Sequence, residues 1–159
     1  KSELSINFFK TFQNKMHYAT HGNTAAEIIF ERVDANKRNL GLTNFKGDIL
    51  TRQEVEIAKN YLTEDELNVL NRMVSAYLDI AEINALDRRV MKMQDWINEL
   101  DDFLKLTRKD ILNHKGMVSH EQALKKAHEE YDKYMESHLT RAERDYLTIL
   151  NKTIEDLNR

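Results

Sequence analysis

Five short patterns of the form Ser/Thr-x-x-Glu/Gln divide this chain of 159 residues into segments. In such a capping box the hydroxyl accepts a hydrogen bond from the N–H three residues later, and the acid or amide accepts one from the N–H of the first residue. One match is common by chance, but here each match precedes a stretch with helical apolar spacing, and the set therefore predicts a helical chain. The five pairs are Thr24/Glu27, Thr51/Glu54, Thr63/Glu66, Ser119/Gln122 and Thr140/Glu143.

The composition agrees with that prediction, because the chain has no proline and only four glycines to interrupt helices. No alternating strand of useful length is present. We predict an all-α fold, one multi-helix domain spanning 1–159 with about six to seven helices. The predicted helices cover about 3–20, 24–34, 51–60, 63–87, 92–106, 119–137 and 140–158, and the long loops cover about 35–50 and 107–118. The last two helices, within 118–159, form either a hairpin or one long arm, and both alternatives stay open.

Charge and cysteine content exclude several classes of function. A net charge of -3 gives no global signal for nucleic-acid binding, and the absence of cysteine excludes disulfides, thiolate metal sites and a cysteine nucleophile. No apolar run approaches the ~18 residues of a membrane span, and no signal peptide is visible. The chain begins at Lys1 rather than at methionine. We therefore expect a piece of a longer protein.

Two histidines four residues apart, His17 and His21, end the first predicted helix. They lie on one helical face and match the His-x-x-x-His spacing of a metal-binding pair. Tyr18, however, follows His17 where the metalloprotease motif has glutamate. The competing interpretation is a solvated helix face.

Nearby Glu27 is a candidate acid, but its place in the capping box with Thr24 already gives its carboxylate a structural role.

The stretch after the second predicted helix is long for a compact helical domain, and long loops are often functional. Between Arg32 and Arg52 it holds five basic residues and two acidic ones, a local excess of +3. Lysine, arginine and asparagine side chains of such a loop are suited to contact phosphate. The alternative is an irregular connection pinned by Leu40, Leu42 and Phe45, and both interpretations stay open.

Long stretches of the sequence resemble the RhuM family of bacterial virulence-island proteins. The resemblance runs from about Phe8 to Tyr134, through the blocks "KMHYATHGNTAAEIIFERVDANKRNLGLTNFKG", "AKNYLTEDELNVLNRMVSAYLDIAE", "MQDWINELDDFL" and "GMVSHEQALKKAHEEYDKY". One departure is Arg38, where the family commonly has proline. The polar positions that match the family's blocks are His17, His21, Thr24, Glu27, Arg32, Asp34, Lys37, Lys46, Lys59 and Asn60.

The resemblance implies a protein of the bacterial cytoplasm encoded on a horizontally acquired island, and it implies no defined reaction. Family members usually carry an N-terminal winged-helix or phage-antirepressor-like portion that would bind DNA. By this likeness the present chain would be the C-terminal helical domain, and DNA would be contacted through a portion that lies outside it.

Two hypotheses of different classes follow. In the first, the chain is a non-catalytic effector or oligomerisation domain of a DNA-associated protein, and it forms a dimer. The apolar stripes of the last two predicted helices provide the oligomer seam. The residues assigned to that seam are Tyr131, Tyr134, Leu150 and Ile154.

In the second hypothesis, the chain is a nuclease-like or phosphoesterase enzyme that acts on nucleic acid. It requires the polar face of the first helix to meet the 32–48 loop in one cleft. The catalytic candidates are His17, His21, Glu27, Arg32 and Asp34. The candidates for holding phosphate or another ligand are Lys37, Lys46, Arg52, Lys59 and Asn60. A divalent metal on His17 and His21 is the one cofactor that this hypothesis considers.

Overall fold

The computed structural model describes residues 2–159, and all regular structure within that range is helical. This confirms the predicted all-α fold. The six α-helices are α1 (Glu3–His21), α2 (Ala25–Arg32), α3 (Glu64–Leu86), α4 (Met93–Leu106), α5 (His120–His138) and α6 (Arg141–Leu157). Short 3-10 segments lie at Arg38–Gly41, Glu54–Glu56 and Ala58–Tyr61. The prediction of one short helix over 51–60 was therefore wrong, since two separate 3-10 turns occupy that stretch.

Three of the predicted capping boxes start α-helices. At Thr63, Ser119 and Thr140 the hydroxyl accepts from the N–H three residues later, and the side chain of that later residue accepts from the first residue's N–H. Such caps satisfy N–H groups that the helix itself leaves without partners. At Thr51 the N–H donates to the Glu54 carboxylate over 3.1 Å, but only the 3-10 turn Glu54–Glu56 follows.

The chain divides into two compact units. The first comprises residues up to Ala25 together with Thr63–Gly116, and it therefore contains α1, α3 and α4. Helix α1 packs against both α3 and α4. The ring of Tyr77 on α3 lies between Phe12 of α1 (5.4 Å between centroids) and Phe103 of α4 (6.1 Å). The Lys15 amino group also donates to Asp101 over 2.8 Å, which adds an ion pair between α1 and α4.

The second unit comprises Ala26–Leu62 and Met117–Arg159, which is most of α2, the connection that follows it, α5 and α6. Its core draws on the irregular connection as much as on helices. Helix α5 packs against the 3-10 segments Glu54–Glu56 and Arg38–Gly41. The buried apolar side chains of residues 33–62 are Val33, Leu40, Leu42, Leu50, Val55, Ala58, Tyr61 and Leu62. The assignment of 1–159 to one domain stays a prediction.

The last two helices fold back on each other as a hairpin. The chain leaves α5 at Leu139, which has an extended backbone, and α6 begins two residues later. The Arg144 guanidinium donates to the carbonyl oxygens of Glu136 and Leu139 over 3.1 and 3.0 Å. Further along, the Asn151 amide donates to the Tyr131 hydroxyl over 3.3 Å.

Within residues 2–159, no helix combines the length and the apolar character needed to cross a membrane.

Candidate functional site

The histidine pair lies at the end of α1, where the sequence placed it. His17 Nδ1 and His21 Nε2 are 2.9 Å apart and share a hydrogen bond. The helix ends at once after His21, because Gly22 adopts a left-handed backbone with φ of 81°. His17 is only 5% exposed. The interpretation of this pair as a solvated helix face was therefore wrong for His17, whose ring is part of the interior.

The shared hydrogen bond also limits what the pair can do. One of the two facing nitrogens donates and the other accepts, so the pair holds a single proton between them. In the described part of the chain, no group of three or more His, Asp or Glu side chains is arranged to hold a metal ion. Metal binding by His17 and His21 stays a prediction.

Glu27 is 8% exposed and lies in the first turn of α2. One carboxylate oxygen accepts the N–H of Met117 over 3.0 Å. This bond ties α2 to the segment that leads into α5, a contact across 90 residues of sequence. The expectation that Glu27 serves the start of α2 alone therefore missed a long-range structural role.

The next two catalytic candidates form contacts that hold the backbone. The Arg32 guanidinium donates to the carbonyl of Tyr61 over 2.9 Å and thereby links the end of α2 to the last turn before α3. The Asp34 carboxylate accepts the N–H of Asn36 over 2.9 Å, which is the geometry of an Asx turn. Both contacts favour the interpretation of the loop as a pinned connection.

The five candidates for phosphate binding separate into two groups. Lys37, Lys46 and Lys59 are exposed. Asn60 instead donates its side-chain amide to the Glu54 carbonyl over 2.9 Å. The Arg52 guanidinium pairs with Asp132 over 2.7 Å and lies 5.2 Å from the centroid of the Tyr131 ring. Leu40 and Leu42 are buried, as the interpretation of a pinned connection expected, whereas Phe45 is only half-buried.

The catalytic candidates belong to different compact units. His17 and His21 lie in the first unit, whereas Glu27, Arg32 and Asp34 lie in the second. The common cleft that the enzyme hypothesis requires therefore stays a prediction.

The apolar stripes of the C-terminal hairpin differ from the predicted ones. On α5 the buried residues are Ala123, Ala127, Tyr131 and Met135. Tyr131 is only 3% exposed and is thus enclosed within its own chain. Tyr134 instead stacks on His138 with ring centroids 4.2 Å apart.

On α6 the residue that the chain itself buries is Leu147. Leu150 and Ile154 are half-buried. Tyr146, Ile149 and Leu157 are 58%, 67% and 78% exposed. The most exposed apolar residues of α6 are therefore ones that the predicted seam did not include, and the seam itself stays a prediction.

Two clusters of polar residues in the structure were not predicted from the sequence. His128 of α5 and Glu56 form a 2.6 Å pair between residues 72 positions apart. Lys10, His114 and Lys115 line one groove of the first unit. Neither cluster has a local sequence signal, because its members are distant along the chain. One indication of the groove was present in the sequence: residues 105–115 contain four Lys and Arg residues and a single acid, Asp110.

Two buried tyrosines, one in each core, have pKa values raised above the ordinary value. Burial, together with the nearby Glu99 charge, raises the pKa of Tyr77 to about 12. Burial and then the Glu56 charge also raise the pKa of Tyr61. The Tyr61 hydroxyl donates to the Val55 carbonyl over 2.6 Å, so this group holds the connection together as a neutral donor.

Comparison with known proteins gives one match. No curated protein and no solved structure matches the chain. The sequence pattern of a family described as the virulence protein RhuM family matches residues 1–142, which is most of the chain and ends where α6 begins. The chain therefore belongs to the virulence protein RhuM family.

Proposed function

We propose that this chain is a non-catalytic association and effector domain of a larger, DNA-associated virulence-island protein, and that it pairs with a second copy through α6. The observation that carries the proposal is the exposed apolar face of that helix. In the full-length protein, pairing would bring two N-terminal DNA-binding portions together in the bacterial cytoplasm, and a dimer is suited to contact paired half-sites.

The exposed face of α6 has the spacing of a helix–helix seam. Tyr146, Ile149, Thr153 and Leu157 follow one another at intervals of three and four residues, and Leu150 lies four residues after Tyr146. All five therefore lie on one side of the helix. Isolated exposed apolar residues are normal, but a continuous stripe along a helix is typical of an association surface. The whole stripe lies beyond residue 142, the end of the family match. Pairing would therefore be a property of this chain in addition to those of the family.

The contacts of the proposed catalytic residues also favour a non-catalytic role. Glu27, Arg32 and Asp34 hold backbone groups in place, and His17 is buried. A general base must reach the proton that it removes, directly or through one water. The burial of His17 opposes such contact with a large substrate.

The test is the molar mass of the chain in solution, measured by light scattering or sedimentation over a wide range of concentration. One helix face is smaller than the ~800 Å² per partner of a standard interface, so we expect a dimer that dissociates on dilution. The double variant Ile149→Gln/Leu157→Gln should weaken the dimer at least tenfold, since burying each of these side chains is worth about 1.5–3 kcal/mol.

The matched control is Lys152→Gln/Glu155→Gln, which changes two exposed residues of the same helix away from the stripe and leaves the net charge unchanged. This variant should dimerise like the wild type. A wild-type chain that is monomeric at every concentration, or a stripe variant that dimerises as well as the control, would refute the proposal.

The enzyme hypothesis keeps one supporting observation, the hydrogen-bonded pair of His17 and His21. Its test is cleavage of single- and double-stranded DNA and RNA in magnesium, manganese or zinc. The comparison is with a folded His17→Ala/His21→Ala/Asp34→Ala variant. Cleavage by the wild type alone would replace the association proposal with an enzyme that uses the end of α1.

A further inference from the structure

A groove in the first unit is lined by hydrogen-bond donors and by lysine. One wall is a face of α1, which contributes Lys10, Thr11 and Asn14. The other wall is the end of the connection after α4, which contributes Asn113, His114 and Lys115. We call it the lysine groove. Its volume is about 470 Å³, within the usual range for sites that hold small organic ligands.

The charge of the lysine groove is positive although the whole chain carries -3. Lys10, Lys15 and Lys115 line it, and no carboxylate does. The Lys15 amino group is already held by Asp101 at 2.8 Å and by the Leu112 carbonyl at 3.0 Å, so it serves as a fixed part of the wall. Within residues 2–159, the exposed amino groups of Lys10 and Lys115 form no ion pair. These two charges are therefore available to a ligand.

The neutral side chains of the groove are also oriented as donors. His114 Nδ1 accepts the N–H of Gly116 over 2.9 Å, so the proton of the neutral ring lies on Nε2. Asn14 Oδ1 accepts the N–H of Ala25 over 3.2 Å, which leaves the NH₂ group of Asn14 to donate elsewhere. Two ammonium groups, an imidazole N–H, an amide NH₂ and the Thr11 hydroxyl form a set that matches an anion with several acceptor oxygens.

We propose that the lysine groove binds the phosphodiester backbone of a single nucleic-acid strand. A phosphate group would be held between Lys10 and Lys115, with the Asn14 amide and His114 Nε2–H as directional donors. One phosphate fills little of a 470 Å³ groove, and the attached sugar and base occupy the rest. The ring of His114 is exposed and lies at right angles to the Tyr18 ring with centroids 5.7 Å apart, and in the proposed complex a base would stack on it.

A concave groove favours a strand over a lipid surface, because a flat membrane cannot enter it. The site is independent of pairing through α6, since all of its residues lie in the first unit. It is also distinct from the basic stretch 32–52, whose Arg32 and Arg52 are engaged in contacts within the second unit.

The experiment is fluorescence anisotropy of labelled single-stranded DNA and RNA oligonucleotides with the whole chain, over a series of salt concentrations. We expect Lys10→Gln/Lys115→Gln to lower the affinity at least tenfold at low salt. It should also reduce the slope of log affinity against log salt concentration by about 0.7, the value for one phosphate on a single strand. The matched control is Lys125→Gln/Lys152→Gln, which removes two exposed lysines of the second unit and should change the affinity less than about twofold.

A second variant, Asn14→Asp, separates binding from folding. The aspartate keeps the oxygen that accepts from Ala25 but replaces the donating NH₂ with negative charge, so we expect weaker binding with unchanged thermal unfolding. Equal losses in the two lysine variants, no loss in Asn14→Asp, or no binding by the wild type would each overturn the proposal.

Two further binding measurements test whether the bound phosphate belongs to a nucleic-acid strand, a small molecule or a lipid. Inorganic phosphate and a mononucleotide should compete only at far higher concentration than the strand, and anionic phospholipid vesicles should not sediment the chain. Tighter binding of the mononucleotide or of the vesicles would overturn the assignment to a strand. The stripe variant Ile149→Gln/Leu157→Gln should still bind the oligonucleotide, because each monomer carries its own lysine groove. The test of dimer formation and the test of the lysine groove can therefore fail separately.

Discussion

Residues 33–63, between α2 and α3, and residues 107–119, between α4 and α5, are the two long stretches of the chain outside α-helices. Both contain basic side chains and glycines with positive φ. They differ in how much they bury. The first connection contributes eight apolar side chains to a core, whereas the second contributes Leu112 alone.

The hydrogen bonds that their own side chains form differ in the same sense. In the first connection, the Thr43 hydroxyl donates to the Asn60 carbonyl and the Tyr61 hydroxyl donates to the Val55 carbonyl, bonds between residues 17 and 6 positions apart. In the second, Thr107 and His114 bond only to groups two or three residues away. In the first connection, which has many buried apolar residues, the polar side chains therefore hold the backbone in place. The second connection has few buried apolar residues, and its polar side chains are available to a ligand.

The largest effect that tests this comparison is expected at Gly41 in the first connection. Gly41 has φ of +93°, and a Cβ there would lie 2.3 Å from the backbone oxygen of Arg32. Neither the end of α2 nor the buried Leu40 beside it can move away easily. Gly41→Ala should therefore lower the free energy of unfolding by more than about 3 kcal/mol, measured by urea denaturation.

Gly47→Ala is the control within the same connection. Its φ is +73°, but a Cβ would meet nothing within 4 Å. We expect only the cost of the left-handed backbone, about 1–2 kcal/mol. Equal destabilisation by the two variants would mean that the connection is not tightly packed against α2.

Tyr61→Phe should have the next largest effect. It removes the buried hydroxyl that donates to the Val55 carbonyl and leaves that acceptor without this donor. The expected loss of stability at neutral pH is about 1–3 kcal/mol. Tyr77→Phe, which removes a hydroxyl bonded to the Trp96 carbonyl in the first unit, is the natural comparison.

Both tyrosines also predict a loss of stability at alkaline pH. Their pKa values are raised in the folded chain from an ordinary value of 10.0, to about 12 for Tyr77. Above pH 10 the unfolded chain releases these protons before the folded chain does, so stability is full below pH 10 and falls as the pH rises towards the folded values. Each Phe variant should flatten this decline in denaturation curves at stepwise higher pH. An unchanged slope in both variants would contradict the assigned cause.

Capping boxes in the sequence predicted three of the six α-helix starts, because a capping box is a local interaction. Thr63, Ser119 and Thr140 are the clear cases. The box at Thr51 forms as well, but burial of Val55 and Tyr61 in the core shapes the following residues into short 3-10 turns. The exposure of a helix face depends on neighbours distant in sequence. The stripe of α5 therefore includes Met135 rather than Tyr134, and His17 is buried although it lies among polar residues.

The candidate site was harder to predict than the fold for the same reason. The charge excess of residues 32–52 is a real local signal, yet contacts with the distant Tyr61 and Asp132 engage Arg32 and Arg52. The lysine groove brings Lys10 together with Lys115 from the other end of the first unit. No local pattern relates residues so far apart in the chain.

The smallest predicted effect compares one basic residue from each connection. Arg52→Gln removes an ion pair with Asp132 and the contact with the Tyr131 ring, both partly exposed, and should cost about 1 kcal/mol of stability. Lys115→Gln removes an exposed charge that forms no ion pair within residues 2–159, and should change stability by less than about 0.5 kcal/mol. Urea denaturation of both variants in one buffer measures the difference. If Lys115→Gln is as destabilising as Arg52→Gln, its side chain supports the fold, and the second connection is no more available to a ligand than the first.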